Sequence, residues 1–315
     1  MARAFVFPGQ GSQAVGMGRE LHDAFASARE VYQEVDDALD QNLTRLIFEG
    51  PEDELTLTEN TQPALMATSL AVVRVIEREG GIALADKAAF VAGHSLGEYS
   101  ALAAAGAMGL ADTARLLRRR GQAMQSAVPV GEGAMAAVLG LDLEAVQAVA
   151  ADAAAAGGGV CEVANDNAPG QVVLSGGTKA VEQAVALASE RGARRAMPLP
   201  VSAPFHCSLL APAADVMAEA LADVTIAAPA PRLVANVTAE PVAEPERIRN
   251  LLVEQVTGMV RWRECVLTMM ESDVDTLVEL GAGKVLANLA RRIDKALTGT
   301  AVLAPADVES LIAQL

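Results

Sequence analysis

The stretch Phe90-Val91-Ala92-Gly93-His94-Ser95-Leu96-Gly97-Glu98 decides how the rest of the chain is interpreted. An apolar run enters the G-x-S-x-G pattern of residues 93–97, and a helical pattern of small residues leaves it. This order predicts that Ser95 lies on a sharp turn between a strand and a helix. The flanking glycines remove side chains that would clash in so tight a bend, and the new helix directs its first N–H groups toward the serine oxygen. The pattern favours a nucleophilic serine over an ordinary glycine-flanked turn.

Composition limits the class of protein. The chain has 315 residues, of which 52% are hydrophobic and 20% charged, so it can bury a large core in one or two domains. No apolar run approaches the ~20 residues that span a bilayer, and the N-terminus enters a strand pattern without a signal-peptide pattern. We therefore expect a cytoplasmic protein that does not bind membranes.

Charge and cysteine content exclude further classes. A net charge of −16 argues against nucleic acid as a partner, because a polyanion would be repelled over most of the surface. Cys161, Cys207 and Cys265 are odd in number and lack C-x-x-C spacing, so they indicate neither a disulfide framework nor a zinc site. We expect buried free thiols and no bound metal.

The N-terminal half alternates one strand with helices. Residues 3–7 predict a buried strand, followed by the loop Pro8-Gly9-Gln10-Gly11-Ser12-Gln13. This loop lacks a complete phosphate-binding motif, which favours a role in an oxyanion hole. A helical pattern covers residues 18–49, with His22 expected on its surface, and a second helix covers residues 60–79 and ends at Gly80-Gly81.

Three consecutive arginines follow the predicted Ser95 turn in the sequence. Asp112 is predicted to cap a helix that carries Arg118, Arg119 and Arg120, which cannot share one face at 100° per residue. At least one of them should point inward or into a cleft. We expect Arg115, Arg118 and Arg119 to lie on a solvated face.

Residues 133–199 have the order β-α-β-β-α-β, which is typical of a ferredoxin-like unit. Inserted into the main body, such a unit predicts a smaller subdomain beside the main sheet with a cleft between them. Residues 165–170 are predicted to form its hairpin turn.

The C-terminal part returns to the main body through residues 200–207, where prolines bracket a loop that contains Phe205 and His206. A helix is expected over 209–222, a strand over 233–237, helices from Pro245 to Gln255 and from Trp262, and a last parallel strand over 276–280. Residues 281–285 resemble a phosphate loop but lack its first glycine and its Ser/Thr, so we predict a strand-to-helix turn there.

A serine nucleophile needs a base, and the chain has three histidines. His22 is expected on a surface helix, and the side chain of His94 is expected to point away along the turn. His206 is therefore the candidate base. The backbone N–H groups of Leu96 and Gln10 are the candidate oxyanion donors.

Five motifs, taken together, resemble the malonyl-CoA:acyl carrier protein transacylases from end to end. They are the loop 8–13, the elbow 93–98, Arg120-Gly121 with Met124-Gln125, Ala203-Pro204-Phe205-His206, and residues 281–286. The resemblance implies an α/β fold, with an α/β-hydrolase-like core of parallel sheet over residues 1–130 and 202–315. A ferredoxin-like subdomain would occupy residues 131–201.

The resemblance also assigns roles. Ser95 would accept the acyl group, His206 would be its base, and Gln10 and Leu96 would donate to the oxyanion. Arg120 would pair with the free carboxylate of a malonyl group, which suits the two parallel hydrogen bonds of a guanidinium. Gln255 would orient the histidine through its backbone carbonyl in place of an acidic residue, and Asn165 would line the acyl or pantetheine side.

The implied partners are malonyl-CoA and acyl carrier protein, with no cofactor on the enzyme and a monomeric chain. Because such carriers are acidic, we expect a local basic docking patch on this acidic chain, with these candidates: Arg191, Arg194, Arg195, Lys284, Arg291 and Arg292. Three alternatives stay open. They are a stand-alone polyketide-pathway acyltransferase that uses malonyl or a related extender unit, a hydrolase and a catalytically silent scaffold.

Overall fold

The computed structural model describes residues 2–201 and 203–315. Within them, ten strands form two sheets. The strands are β1 Ala2–Phe7, β2 Phe90–Gly93, β3 Gly133–Leu139, β4 Cys161–Ala168, β5 Gln171–Gly177, β6 Arg195–Pro198, β7 Arg232–Val234, β8 Pro241–Val242, β9 Val274–Leu280 and β10 Thr298–Val302. The helices in the first half are α1 Arg19–Ala24, α2 Ala26–Leu39, α3 Leu43–Glu49, α4 Glu52–Thr56, α5 Thr58–Gly80, α6 Leu96–Ala104 and α7 Leu110–Ala127. Those in the second half are α8 Leu143–Ala153, α9 Thr178–Glu190, α10 Ala211–Ala222, α11 Pro245–Glu254, α12 Trp262–Glu271, α13 Val285–Ile293 and α14 Pro305–Gln314.

The larger sheet has the order β10-β9-β1-β2-β7-β8 and is parallel except for β8. Its central strand β1 is buried from Ala4 to Phe7, as expected for a parallel strand that is covered on both faces. The carboxyl ends of parallel strands meet at one edge, where ligands bind in α/β sheets. The loop after β1, the elbow after β2 and the turn after β9 therefore lie along the same edge.

The smaller sheet has the order β4-β5-β3-β6 and is antiparallel throughout. Helices α8 and α9 pack their alanines and valines against it, in a hydrophobic core separate from that of the larger sheet. The predicted β-α-β-β-α-β order is confirmed, and so is the α/β fold class with a parallel sheet and a second, separate sheet. The domain boundaries at 130/131 and 201/202 stay a prediction, and residue 202 lies outside the described residues.

The predicted turn over residues 165–170 is wrong. Strand β4 continues to Ala168, and the chain reverses at Pro169-Gly170, where Gly170 has a φ of 67°. The strand bulges twice against β5, between Val163 and Asn165 and between Asp166 and Ala168. The bulged segment gains a backbone partner outside the small sheet, because the Asp166 N–H donates to the Val260 carbonyl at 3.0 Å. Tertiary pairing thus makes a strand from residues with low strand propensity.

Other boundaries also differ from the prediction. The helical pattern of residues 18–49 breaks into α1, α2 and α3, and the strand expected over 233–237 ends at Val234. Strand β9 is not the last parallel strand, because β10 pairs with it at the sheet edge. Asp112 lies in the first turn of α7, whose N-cap is Gly109.

Several predicted features are confirmed. Helix α5 ends at Gly81 in the left-handed conformation, and residues 281–284 lead from β9 into α13. The three cysteines are free and buried.

Among the described helices, none combines the length and the apolar content that crossing a bilayer requires.

Candidate active site

Ser95 occupies a strained turn between β2 and α6. Its φ of 53° and ψ of −111° are unusual for a residue with a side chain. A Cβ on Gly93 would lie 1.9 Å from the backbone of Gly97, and a Cβ on Gly97 would lie 2.3 Å from the Phe7 carbonyl oxygen. Both glycines are therefore required by close backbone contact. The serine N–H is fixed by the Asn236 side-chain oxygen at 2.8 Å.

His206 faces the serine from the loop that follows the small sheet. Its Nε2 lies 2.8 Å from Ser95 Oγ, and its Nδ1 lies 2.8 Å from the backbone carbonyl oxygen of Gln255. A carbonyl oxygen can only accept, so the proton of the neutral ring is on Nδ1 and Nε2 is free to accept from the serine hydroxyl. Burial, reinforced by the positive charge of Arg120, lowers the pKa of His206 to about 3. The imidazole is therefore neutral at physiological pH.

Arg120 is the arginine of the run that points inward. Its side chain is only 1% exposed and extends from α7 to the serine. Nη1 donates to Gln62 Oε1 at 2.8 Å, while Nη2 donates to Ser95 Oγ at 3.1 Å and to Gln255 Oε1 at 2.9 Å. The guanidinium also lies over the ring of Tyr99, 5.5 Å from its centroid. A permanent positive charge is thus held beside the nucleophile.

A buried carboxyl group lies behind the arginine. Glu98, 1% exposed on α6, accepts from the Asn236 backbone N–H at 2.8 Å and from Gln255 Nε2 at 3.1 Å. The same Gln255 amide donates to the Ser95 carbonyl at 3.1 Å. Burial is the main cause that raises the pKa of Glu98 to about 7. Gln255 therefore connects the arginine, the carboxyl group, the serine turn and the histidine.

A cavity of about 390 Å³ opens in front of the serine. It is lined by two residues of the smaller sheet, by the loops after β1, β2 and β6, and by helices α4–α7: Gln10, Gly11, Gln13, Thr56, Gln62, His94, Ser95, Leu96, Arg120, Met124, Met135, Asn165, Leu199, Pro200, Val201, Phe205 and His206. Leu96 is the first residue of α6, where backbone N–H groups lack helical partners. The Gln10 side chain is occupied as an acceptor from Thr58 Oγ1 at 3.0 Å.

The structure therefore brings together all seven residues that the sequence singled out. Ser95, His206, Gln10, Leu96, Arg120 and Asn165 line one cavity, and Gln255 lies directly behind it. Their chemical roles stay predictions.

Two neighbouring side chains behave differently from the expectation. His94 does not point away, because it lines the cavity and its Nε2 lies 2.8 Å from Asn167 Oδ1 on β4. Arg118 is not on a solvated face, because it donates to the side chains of Asn60 and Gln41. Both side chains find polar partners on segments distant in sequence, which helical periodicity does not reveal.

Sequence reasoning missed the roles of Gln62, Glu98 and Asn236. Glu98 directly follows the G-x-S-x-G pattern, and Asn236 follows β7 at the carboxyl edge of the sheet, so position could have indicated both. Gln62 had no signal of its own, because it lies in the buried face of α5. In the part of the chain that the structure describes, no group of three or more potential ligand side chains could hold a metal ion.

The fold and the site define a class: α/β proteins in which a serine on a strand-to-helix turn faces a neutral, carbonyl-bound histidine. The chain belongs to the acyl transferase domain family, whose model matches residues 4–306.

Relatives and solved structures agree with this assignment. The chain is 45% identical over 312 residues to the malonyl CoA-acyl carrier protein transacylase of Bacillus subtilis. The aligned residues cover 99% of this chain and 96% of that protein. It is 55% identical to the acyl-carrier-protein S-malonyltransferase of Bartonella henselae, with a TM-score of 0.97 over 100% and 99% of the two chains. A malonyl-transacylase solved with its type II PKS acyl-carrier protein is 41% identical, with a TM-score of 0.95 over 100% of both chains.

Proposed function

We propose that the protein transfers a malonyl group from malonyl-CoA to the phosphopantetheine thiol of an acyl carrier protein. The observation that carries the proposal is the Arg120 guanidinium, buried and 3.1 Å from the Ser95 hydroxyl oxygen. A receptor for a carboxylate thus lies beside a nucleophile for an acyl group. The malonyl-CoA:acyl carrier protein transacylases among the relatives support the same activity.

The reaction divides into two half-reactions around a malonyl-serine ester. In the first, the Ser95 hydroxyl passes its proton to His206 Nε2 while its oxygen attacks the thioester carbonyl carbon. The resulting oxyanion accepts from the N–H groups of Leu96 and Gln10. The C–S bond then breaks, and CoA leaves as a thiol with the proton from His206. In the second half-reaction the carrier thiol attacks the ester, and the same proton transfers occur in reverse order.

The histidine needs no acidic partner for this chemistry. A thiolate is a better leaving group than an amine, so less assistance is required than in a protease. The Gln255 carbonyl fixes the tautomer and the orientation of the His206 ring. Since the pKa of His206 lies far below neutrality, the ring is present as the free base.

Arg120 would select the acyl group. A carboxylate can accept two parallel charge-assisted hydrogen bonds from a guanidinium, which an acetyl group cannot do. Asn165, 7% exposed on β4, would line the opposite wall of the acyl and pantetheine path.

Carrier docking would use a basic patch near the mouth of the cavity. Lys284 and Arg291 are exposed on the turn after β9 and on α13. Gly283 packs against Ser12, close to the loop that lines the cavity. Arg194 and Arg195 are also exposed, whereas Arg191 pairs with Asp152 and Arg292 donates to Gln171.

A polyketide-pathway acyltransferase is the second candidate function. The neighbour solved with a type II PKS carrier has a TM-score of 0.95 to this chain, so the same fold can serve such a carrier. We infer a monomeric cytoplasmic enzyme with no cofactor of its own in either case.

Mass spectrometry after incubation with malonyl-CoA alone tests the chemistry. We expect one malonyl adduct on Ser95, which carrier protein then removes. Ser95→Ala should lose the adduct, whereas Ser126→Ala, at an exposed hydroxyl on α7, should keep it. An unmodified wild-type protein would contradict the transferase function.

Rates with fatty-acid and polyketide carriers distinguish the two pathways. Charge reversal at Lys284 and Arg291 should raise the KM for carrier without changing acylation by malonyl-CoA. An unchanged KM would show that docking occurs elsewhere.

A further inference from the structure

Glu98 has no direct part in the steps above, although its carboxyl group interacts electrostatically with Arg120. The two side chains do not touch. The Gln255 amide stands between them, accepting from Arg120 Nη2 at 2.9 Å and donating to Glu98 Oε2 at 3.1 Å. Glu98 is therefore a counterion that acts on the arginine across one amide group.

Of the groups that surround Glu98 among the described residues, Arg120 is the one that carries a charge. Tyr99 on the same helix has a pKa raised to about 12 by burial, so its phenol is neutral. Burial likewise raises the pKa of the Cys265 thiol on α12, which also faces Glu98. Asn236 and Gln255 are uncharged amides. Within the described residues, Glu98 Oε1 has no hydrogen-bond partner, so this oxygen is available to take up a proton.

Charge balance changes when a carboxylated acyl group enters the cavity. Before binding, Arg120 and an ionised Glu98 balance each other. After binding, the substrate carboxylate pairs directly with Arg120, so an ionised Glu98 would leave the buried site with an excess negative charge. Net charge in a site of low dielectric is costly, and a buried carboxyl group avoids it by taking a proton.

We propose that Glu98 is the resident counterion of Arg120 and takes up one proton from solvent when the malonyl carboxylate replaces it. The proton is released when the malonyl group leaves on the carrier. An acetyl group brings no charge and causes no uptake. This proposal rests on the function proposed above, since it assumes that malonyl binds beside Arg120.

Calorimetry measures this proton directly. Malonyl-CoA and acetyl-CoA are titrated separately into the Ser95→Ala protein at about pH 8, in buffers that differ in ionisation enthalpy. Protonation of the CoA phosphates is common to both ligands and cancels in their difference. Because the pKa of Glu98 is about 7 in the free site, we expect malonyl-CoA to take up about half to one proton more than acetyl-CoA.

The matched variants are Glu98→Gln and Glu279→Gln in the same Ser95→Ala background. Glu279 is also fully buried, and among the described residues its Oε1 also has no hydrogen-bond partner. Its pKa is raised by burial, but it accepts from the Ala287 N–H at the start of α13. The extra uptake should disappear with Glu98→Gln and persist with Glu279→Gln. Equal uptake with and without Glu98 would overturn the proposal.

A measurement on the unmodified enzyme covers the case in which Glu98→Gln does not fold. With ¹³C-labelled glutamate, the infrared difference spectrum of malonyl-CoA addition should show a new protonated glutamic acid band that shifts in deuterated buffer. Absence of that band, together with a malonyl adduct on Ser95, would refute the role of Glu98 and leave the transferase function intact. Absence of the adduct itself would refute the transferase function.

Discussion

Replacing Arg120 by alanine should remove the preference for malonyl-CoA over acetyl-CoA. In the intact site the guanidinium is 1% exposed and is held by Gln62 and Gln255, so it is ordered before substrate arrives. A hydrogen bond to a charged group contributes about 1.5–3 kcal/mol. Two of them to one carboxylate amount to about 3–6 kcal/mol, and each 1.4 kcal/mol is tenfold. We expect the ratio of kcat/KM for malonyl-CoA to that for acetyl-CoA to fall about 10²- to 10⁴-fold.

The ratio is the informative quantity because other effects of Arg120→Ala apply to both substrates. The variant loses the hydrogen bond to Ser95 Oγ and leaves space beside the nucleophile, which lowers both rates. Discrimination should stay below the ~10⁴- to 10⁵-fold of sites whose polar groups are left unpaired by the wrong substrate. With acetyl bound, Arg120 keeps Gln62 and Gln255 as partners and Glu98 as counterion.

Initial rates of transfer to carrier protein from each thioester provide the assay. Arg119→Ala on the same helix is the matched control, because Arg119 is exposed and, among the described residues, pairs at the surface with Glu219 at 3.5 Å. Its selectivity should equal that of the wild type. If Arg120→Ala kept the wild-type ratio while both rates fell equally, Arg120 would be a structural residue and the selectivity argument would fail.

Three further outcomes are expected. Because the pKa of His206 is lowered to about 3, log kcat/KM should stay level from about pH 7 down to about pH 5, and an acid limb centred near the ordinary histidine value of 6.5 would contradict a neutral base. If binding takes up a proton at Glu98, the KM for malonyl-CoA should rise as pH increases above about 7, toward tenfold per unit, and Glu98→Gln should abolish that rise. Gly97→Ala would place a Cβ 2.3 Å from the Phe7 carbonyl and should cost at least about 1–3 kcal/mol in thermal unfolding. Gly109→Ala, with its nearest neighbour at 3.8 Å, should cost less than about 1 kcal/mol, which is the loss expected at a helix N-cap.

The parts of the fold that follow from local sequence could be predicted. The elbow needs two glycines because the backbone passes within contact distance on both sides, and that requirement is visible as G-x-S-x-G. The alternation of strands and helices in the small sheet is likewise visible, because its apolar positions change period between two and 3.6. These features leave a local pattern in the sequence, even though the contact that requires Gly97 comes from the Phe7 carbonyl on strand β1.

Features that depend on distant partners could not be predicted. Asp166 is 1% exposed and pairs with Arg263 at 2.8 Å, which holds a polar segment in strand β4 where sequence indicated a turn. That segment places Asn165 in the cavity and Asn167 against His94. Strand β10 was missed for a related reason: it is a short edge strand whose exposed and half-buried residues give a weak apolar pattern.

The charge state of the site is the property furthest from the sequence. As isolated side chains at neutral pH, His206 would be partly protonated and Glu98 fully ionised. Burial shifts each pKa in the direction that favours the neutral form of the group: it lowers the pKa of His206 to about 3 and raises that of Glu98 to about 7. Arg120 is the group in this network that burial does not neutralise, because a guanidinium keeps its proton. The same desolvation therefore leaves a free base for the serine and a charged Arg120 guanidinium for an anionic acyl group. It also leaves Glu98 able to take up a proton when that group binds.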